Sequence, residues 1–107
     1  MIIVMGHAKF SAGEIERLHK AIQTQLSTTN AEDGCELYSF AQDCTDSNRL
    51  VVSERWRDQA AIDAHFQTPH MMAFNELLGK AQVLELSIKS YDLGTGEIKQ
   101  LMGTHAI

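Results

Sequence analysis

The segment AHFQTPHMMAF, residues 64 to 74, contains two of the five histidines of the chain and its only proline. The unperturbed pKa of histidine is about 6.5, so small changes of environment bring its charge change into the working pH range. A histidine in a pocket can act as a general base or acid, and a neutral histidine can bind a metal ion. His65 and His70 are therefore the first residues to consider for chemistry.

The spacing of these histidines argues against joint metal binding on one helix. Zinc-binding pairs usually stand four residues apart, whereas a separation of five places two side chains about 140° apart on a helix. Thr68 and Pro69 also favour the start of a new helix between the two histidines, which would place them on separate helices. No cysteine or carboxylate stands at ligand spacing nearby. We therefore expect no metal site.

Each histidine borders an apolar stripe. His65 follows Ile62 by three residues, and His70 precedes Phe74 by four, so both side chains should face partly inward. Two interpretations remain open. The histidines could be core or turn residues with backbone partners, or they could line a pocket between a sheet and helices.

Two elements are predicted before this segment. Residues 1 to 9 are apolar and β-branched, which favours a strand. Ser11 with Glu14 three residues later matches a capping box at a helix start. The apolar residues that follow recur with helical spacing: Ile15, Leu18, Ile22 and Leu26. One helix should run from here to the turn-forming segment TTNAEDG.

Strand patterns occupy three further stretches. Residues 35 to 42 and 49 to 57 are typical of two antiparallel strands joined by the polar turn DCTDSN. Residues 83 to 91, VLELSIKSY, alternate as a strand. Residues 92 to 107 show no strong period, and we interpret them as a C-terminal arm.

Two short helices should connect the hairpin to the last strand. Asp58 is a typical N-cap for a helix that carries Ile62 and Phe66. Thr68 followed by Pro69 predicts the start of a second helix, because proline at the first helical position loses no hydrogen bond.

This order predicts an α+β fold of the ferredoxin-like βαββαβ type, with a four-stranded antiparallel sheet and helices on one face. We expect a single domain over residues 1–107, with one modest core. The first strand is apolar on both faces, and Val51 points away from Leu50 and Val52, so the helix-free face should expose apolar surface. A second copy could cover it, which predicts a homodimer through the sheet face, with the arm of residues 92–107 able to cross over.

The composition of the chain narrows the classes of partner that it could bind. The net charge is -5 and no basic run is present, which argues against nucleic acid or an anionic membrane as the main partner. The N-terminus lacks the pattern of a signal peptide and no stretch reaches the length of a membrane span, so we expect a cytoplasmic protein. Cys35 and Cys44 form no disulfide framework or metal motif and are expected to be free thiols.

The segment SERWRDQAAIDAHFQTPHMMAF contains E-x-W at Glu54 and Trp56 and A-H-x-Q-T-P-H at 64 to 70. It resembles the antibiotic biosynthesis monooxygenase family, and within it the bacterial quinol monooxygenase branch. EDGCELY at 32 to 38 and Gly13 also match the family. The resemblance implies a dimeric α+β barrel.

The resemblance further implies oxidation of a phenol, quinol or anthrone by molecular oxygen, without metal, flavin or any other cofactor. An electron-rich phenolate can itself donate an electron to oxygen, so the protein would supply a dry pocket, a base and hydrogen-bond donors. His65 or His70 would be the base, and the Trp56 indole N–H would bond a substrate oxygen, unless Trp56 is a core residue bonded to the backbone. The aromatic residues that would wall the ring, or simply pack in the core, are Tyr38, Phe40, Phe66 and Phe74.

Two departures from the family pattern concern the end of the first strand. His7 stands where many relatives carry an acidic residue, and Lys9 where arginine is common. His7 could therefore be a third titratable substrate-binding residue, or it could point to solvent. The haem-degrading members carry a tryptophan at the position of His65 and a histidine near Asn75, and this chain has neither, so haem degradation fits poorly.

Three hypotheses of function follow. The first is a cofactor-independent monooxygenase acting on a small aromatic hydroxy compound. The second is an isomerase or hydrolase of small oxidised metabolites that uses the same histidines for proton transfer and consumes no oxygen. The third is a non-catalytic dimer that binds a metabolite, with the histidines as core residues.

Overall fold

A computed structural model describes residues 1–103 as one antiparallel sheet with helices on a single face. The elements are β1 (Ile2–Phe10), α1 (Glu14–Arg17), α2 (His19–Asn30), β2 (Cys35–Asp43), β3 (Asp46–Trp56), α3 (Gln59–Phe66), α4 (Pro69–Gly79), β4 (Val83–Asp92) and β5 (Ile98–Gly103). The order across the sheet is β2-β3-β1-β4-β5. The α+β class is confirmed, and the sheet has one strand more than the sequence predicts.

The central position of β1 explains why its sequence is apolar. It pairs with β3 on one side and β4 on the other. Its alternate residues Ile2, Val4 and Ala8 are buried beneath the helices, and they oppose Trp56, Glu54 and Leu50 of β3 in register. The core therefore lies between this face of the sheet and the helical layer.

The helical segment after β1 departs from prediction. The residue before α1 is Gly13, whose φ of 86° suits glycine, and no side chain caps the helix. The Glu14 carboxylate instead accepts hydrogen bonds from the Arg17 guanidinium at 2.7 Å and from the Gln82 backbone N–H at 2.9 Å. The capping-box prediction is wrong because the Glu14 carboxylate binds the backbone N–H of Gln82, the residue before β4, and not an N–H at the start of its own helix. Leu18 then separates α1 from α2, where the sequence predicts one continuous helix.

The other local predictions are confirmed. β2 and β3 form the expected antiparallel hairpin. The Asp58 carboxylate accepts the Ala61 N–H at 2.9 Å and caps α3. The Thr68 hydroxyl accepts the Met71 N–H at 3.3 Å and caps α4, whose first residue is Pro69. These features depend only on residues close in sequence, which is why they were predictable.

The fifth strand lies within the segment predicted as an arm, residues 92–107, so the prediction of a four-stranded sheet is wrong. The Asp92 carboxylate accepts the Gly94 backbone N–H at 2.8 Å, and Gly96 adopts a φ of 77°. This tight turn returns the chain along β4, and β5 pairs with that strand antiparallel. Residues 104–107 of the predicted arm lie outside the described residues.

In the part of the chain that the structure describes, the opposite face of the sheet carries no helix. Ile3, Met5 and Val51 lie on it, and Met5 is 51% exposed. Within residues 1–103, no helix has the length and apolarity needed to cross a bilayer.

Candidate active site

An apolar cavity of about 60 Å³ lies between the sheet and the helices. Its walls come from every strand and from α2, α3 and α4. Among residues 1–103, three polar side chains reach it, and these are Tyr38, Glu54 and His65. A largely apolar space with a few convergent polar groups is the usual form of a small-molecule site.

The turn between α3 and α4 brings the two histidines of the opening segment together. His65 lies in the last turn of α3 and His70 in the first turn of α4, and their ring centroids are 6.0 Å apart. Glu32, in the turn after α2, completes the group. Its Oε2 atom lies 2.8 Å from His65 Nδ1 and 2.7 Å from His70 Nε2.

The hydrogen bond to Glu32 fixes the tautomer of His65. A carboxylate only accepts hydrogen bonds, so His65 Nδ1 must carry a proton, and a neutral ring then has its lone pair on Nε2. Burial lowers the pKa of His65 below its ordinary value of 6.5, and the bond to Glu32 opposes that effect. The neutral ring lines the cavity, whereas Glu32 lies outside the cavity wall.

His70 is held in the same cluster but contributes nothing to the cavity lining. Its Nε2 atom donates to Glu32 and also lies 3.4 Å from the hydroxyls of Thr29 and Thr68. The geometry thus separates the two candidate bases: His65 faces the cavity, and His70 faces the carboxylate behind it.

Glu54 is a second titratable group in the cavity wall. Strand alternation puts it on the same face as Leu50, Val52 and Trp56. Burial raises the pKa of Glu54 to about 7, and a hydrogen bond from Trp56 partly opposes this shift. The carboxyl group can therefore exchange a proton near neutral pH.

Trp56 is fully buried, and its indole N–H donates to Glu54 Oε1 at 2.9 Å. The indole N–H thus bonds a side chain that lines the cavity and not a backbone carbonyl. It is also not free to bond a substrate oxygen. The indole ring also packs against His65, with ring centroids 4.8 Å apart. Trp56 therefore holds two titratable groups in position.

The four aromatic residues considered from the sequence all line the cavity. The rings of Tyr38 and Phe40 are 5.1 Å apart, and those of Phe40 and Phe74 are 6.2 Å apart and stacked. The Tyr38 hydroxyl accepts a hydrogen bond from Gln25 at 3.2 Å, and burial raises the pKa of Tyr38. These rings form both the core and the cavity wall.

His7 lies apart from this group. It opposes Val51 and Ser87 on the helix-free side of the sheet, 3.5 Å from Glu85, and it does not line the cavity. A substrate in the cavity would not meet His7.

Glu32 and Glu54 are two acidic residues of the site that the sequence motifs include but to which no role was assigned. Glu54 could have been found, because its strand parity matches that of Leu50, Val52 and Trp56. Glu32 lies 33 residues before His65 in a turn segment, and no local pattern connects the two. No carboxylate stands at ligand spacing near the histidines in the sequence, but the fold brings Glu32 to them, and ligand atoms of Glu32, His65 and His70 all lie within 4.8 Å of one another.

The model of one protein family, antibiotic biosynthesis monooxygenase, matches residues 1–77. The chain belongs to the antibiotic biosynthesis monooxygenase family. This match covers the cavity-facing carboxyl group and both histidines, so the resemblance in the segment around Trp56 is confirmed.

One of the curated relatives is named as a monooxygenase. The probable quinol monooxygenase YgiN of Escherichia coli K12 is 31% identical over 101 residues, which cover 83% of this chain and 94% of that protein. An uncharacterized protein of Synechocystis is 35% identical over 92 residues, covering 86% of this chain and 63% of that protein. The chain thus spans less than two thirds of the length of the Synechocystis relative.

Solved structures share the fold. A candidate antibiotic biosynthesis monooxygenase from Deinococcus radiodurans superposes with a TM-score of 0.79 at 27% identity, covering 96% of this chain and 100% of that one. The α+β architecture with an antiparallel sheet is therefore that of the family.

Proposed function

We propose that this protein is a cofactor-independent monooxygenase that oxidises a small phenolic, quinol or anthrone-like compound with molecular oxygen. One observation carries the proposal. A buried histidine, His65, has Nδ1 bound to Glu32 and presents the remainder of its ring to an apolar cavity. A neutral imidazole with Nε2 unprotonated is a suitable base for a phenolic hydroxyl.

Proton removal is the step in which a protein can help most in this reaction. A quinolate transfers an electron to oxygen far more readily than a neutral quinol, and the resulting substrate radical and superoxide can join through a C–O bond. Cleavage of the O–O bond then leaves one oxygen atom in the product and releases the other as water. The substrate supplies all four electrons, so a quinol and O₂ give a hydroxyquinone and water with no other reductant.

The surroundings of His65 favour this step. The imidazolium formed by proton uptake would be stabilised by Glu32 at 2.8 Å. Glu54 could exchange a proton with a second oxygen of the substrate, because its pKa lies at about 7. The apolar wall would exclude water from the radical pair.

The size of the cavity limits the substrate. Its volume of about 60 Å³ is smaller than the ~150 Å³ of an engineered protein cavity that accepts benzene. A ring can therefore enter only if lining side chains move. Met71 and Met102 both line the space, and methionine adapts its shape at low cost. We expect single-ring substrates to be oxidised faster than fused-ring ones.

The deciding experiment is oxygen uptake by chelator-treated protein with hydroquinones, polyphenols and an anthrone, corrected for autoxidation. His65→Gln should lower kcat by about 10²- to 10⁴-fold, the usual contribution of a general base. His19→Gln, at an exposed position on α2, should match the wild type. With ¹⁸O₂, one labelled atom should appear in the product.

Three results would count against the proposal. Turnover without oxygen uptake would favour an isomerase or hydrolase. Uptake without label in the product would identify an oxidase. Full activity in His65→Gln would remove His65 as the base. Circular dichroism of each variant establishes that the fold is retained.

A further inference from the structure

The cluster of Glu32, His65 and His70 combines a carboxylate with two imidazoles. Their side chains are 14%, 3% and 21% exposed, respectively, so the cluster is largely shielded from water. The three residues come from the turn after α2, from α3 and from α4, so the tertiary fold alone brings them together.

The charge of the cluster is poorly balanced. Within residues 1–103, the salt-bridge partners of Glu32 are the two histidines, and neither Lys nor Arg pairs with it. The Glu32 charge also contributes to the raised pKa of Glu54, so a second carboxyl group lies within electrostatic range. A shielded carboxylate without a Lys or Arg partner is costly, and a bound cation would offset that cost.

The donor atoms are close to the spacing that a transition metal requires. Tetrahedral Zn²⁺ binds nitrogen and oxygen at about 2.0–2.2 Å, which sets neighbouring donors roughly 3.3 Å apart. Glu32 Oε2 lies 2.8 Å and 2.7 Å from the two nitrogens, and all three donors lie within 4.8 Å of one another. To hold an ion at the radius that zinc prefers, the glutamate oxygen would withdraw by about half an ångström and the two imidazoles would adjust to a spacing of about 3.3 Å, so all three side chains would move slightly.

The backbone anchors that hold the two histidines are well defined. Asp58 caps α3 and Thr68 caps α4, and the Thr68 hydroxyl also donates to the His65 backbone carbonyl at 2.7 Å. The hydroxyls of Thr29 and Thr68 lie 3.4 Å from His70 Nε2. Two imidazoles with one carboxylate select zinc-like ions over Mg²⁺ or Ca²⁺, which prefer oxygen ligands.

We propose that Glu32, His65 and His70 form a binding site for a zinc-class divalent ion, and that the ion switches off the base at His65. Coordination uses the Nδ1 lone pair, so the ring proton moves to Nε2. The nitrogen available to a substrate then becomes a donor and can no longer accept a proton. The metal site is independent of the proposed function, whereas the switch rests on it.

Binding is tested first, by titrating chelator-treated protein with Zn²⁺ in a calorimeter, with Co²⁺ absorption as a second probe. We expect one ion per chain, the visible bands of four-coordinate Co²⁺, and a rise in Tm with Zn²⁺ but not with Mg²⁺. Glu32→Gln and His70→Gln should each weaken binding by at least tenfold, and His19→Gln should leave it unchanged. Absence of binding, or equal affinity in all variants, would overturn the site.

The switch is tested by oxygen uptake at increasing Zn²⁺ occupancy. We expect activity to fall in proportion to bound ion, to return on chelation, and to resist Zn²⁺ in His70→Gln at the same concentrations. Bound zinc with unchanged or increased activity would overturn the switch. Absence of uptake in the metal-stripped protein would instead refute the proposed oxygenase, and the calorimetric result would still decide the metal site.

Discussion

Glu54 and Trp56 form a buried pair whose arrangement follows from strand geometry. Residues two apart on β3 point to the same face, so the carboxyl group and the indole N–H meet at 2.9 Å on the cavity side. One neutral donor compensates poorly for the loss of water around a carboxylate. The pKa of Glu54 therefore rises to about 7 and the folded protein holds its proton longer than the unfolded chain does.

This shift predicts a pH dependence of stability. The pKa of Glu54 is about 7 when folded and near 4.5 as the ordinary value. Its contribution to stability is therefore fully present below pH 4.5 and is lost as pH rises through 7. The loss is about 3 kcal/mol, from 1.36 kcal/mol per pKa unit. Glu54→Gln has no carboxyl group to ionise and should not show this loss. Its free energy of unfolding, relative to that of the wild type, should therefore increase by about 3 kcal/mol between pH 4.5 and 7.5.

Urea unfolding at several pH values measures this difference. Glu16→Gln, at an exposed position on α1, is the matched control and should follow the wild-type curve. Parallel curves for the wild type and Glu54→Gln would mean that the carboxyl group is ionised in the folded protein at neutral pH.

The contact between β1 and β4 depends on one glycine. Gly6 opposes Ile88 in register. A Cβ atom at this position would collide with the Ser87 carbonyl oxygen and lie 2.8 Å from Ile88 Cα. The backbone of β4 approaches β1 too closely for any side chain, so glycine is required by space here.

Gly6→Ala should accordingly destabilise the sheet by roughly 1–3 kcal/mol, the usual cost of overpacking. Gly79→Ala is a suitable control, because an added Cβ at the end of α4 meets no atom within 4 Å, and alanine there should be neutral or slightly stabilising. Denaturant midpoints of both variants provide the measurement. Equal stabilities would show that the strands separate at little cost.

The helix-free face of the sheet lies on the side away from the cavity. Leu37 pairs with Arg55, Arg55 with Ile3, and Ile3 with Tyr91, so these side chains form one row across four strands. Met5 lies beside this row and is 51% exposed. Apolar groups at the centre of an open sheet favour a second copy packed against it, and we propose a homodimer through this face.

Met5→Lys should then convert the dimer to a monomer while preserving the fold. Met72→Lys is the matched control, since Met72 is 53% exposed but lies on α4. Sedimentation velocity measures the mass of each variant. A monomeric wild type, or a Met5→Lys variant with unchanged mass, would exclude this face as the interface.

The sequence by itself determined the elements whose formation is local. The hairpin follows from alternation, and the caps at Asp58 and Thr68 follow from side chains that bond a backbone N–H three residues away. The motif around Trp56 and His65 indicated the family. Two features do not follow from local sequence: Glu14 bonds Gln82 of a distant segment, and a turn at Gly96 returns the tail as β5.

Only the tertiary structure decided the site. Glu32 lies 33 residues before His65 and 38 before His70, and sequence periodicity reports which face a side chain takes but not what it meets across such a separation. The Trp56 indole is a different case, because its inward direction and that of its partner Glu54 both follow from strand alternation. The proposed chemistry therefore depends on where α2 ends relative to α3 and α4, because packing of whole elements brings one carboxylate to two histidines.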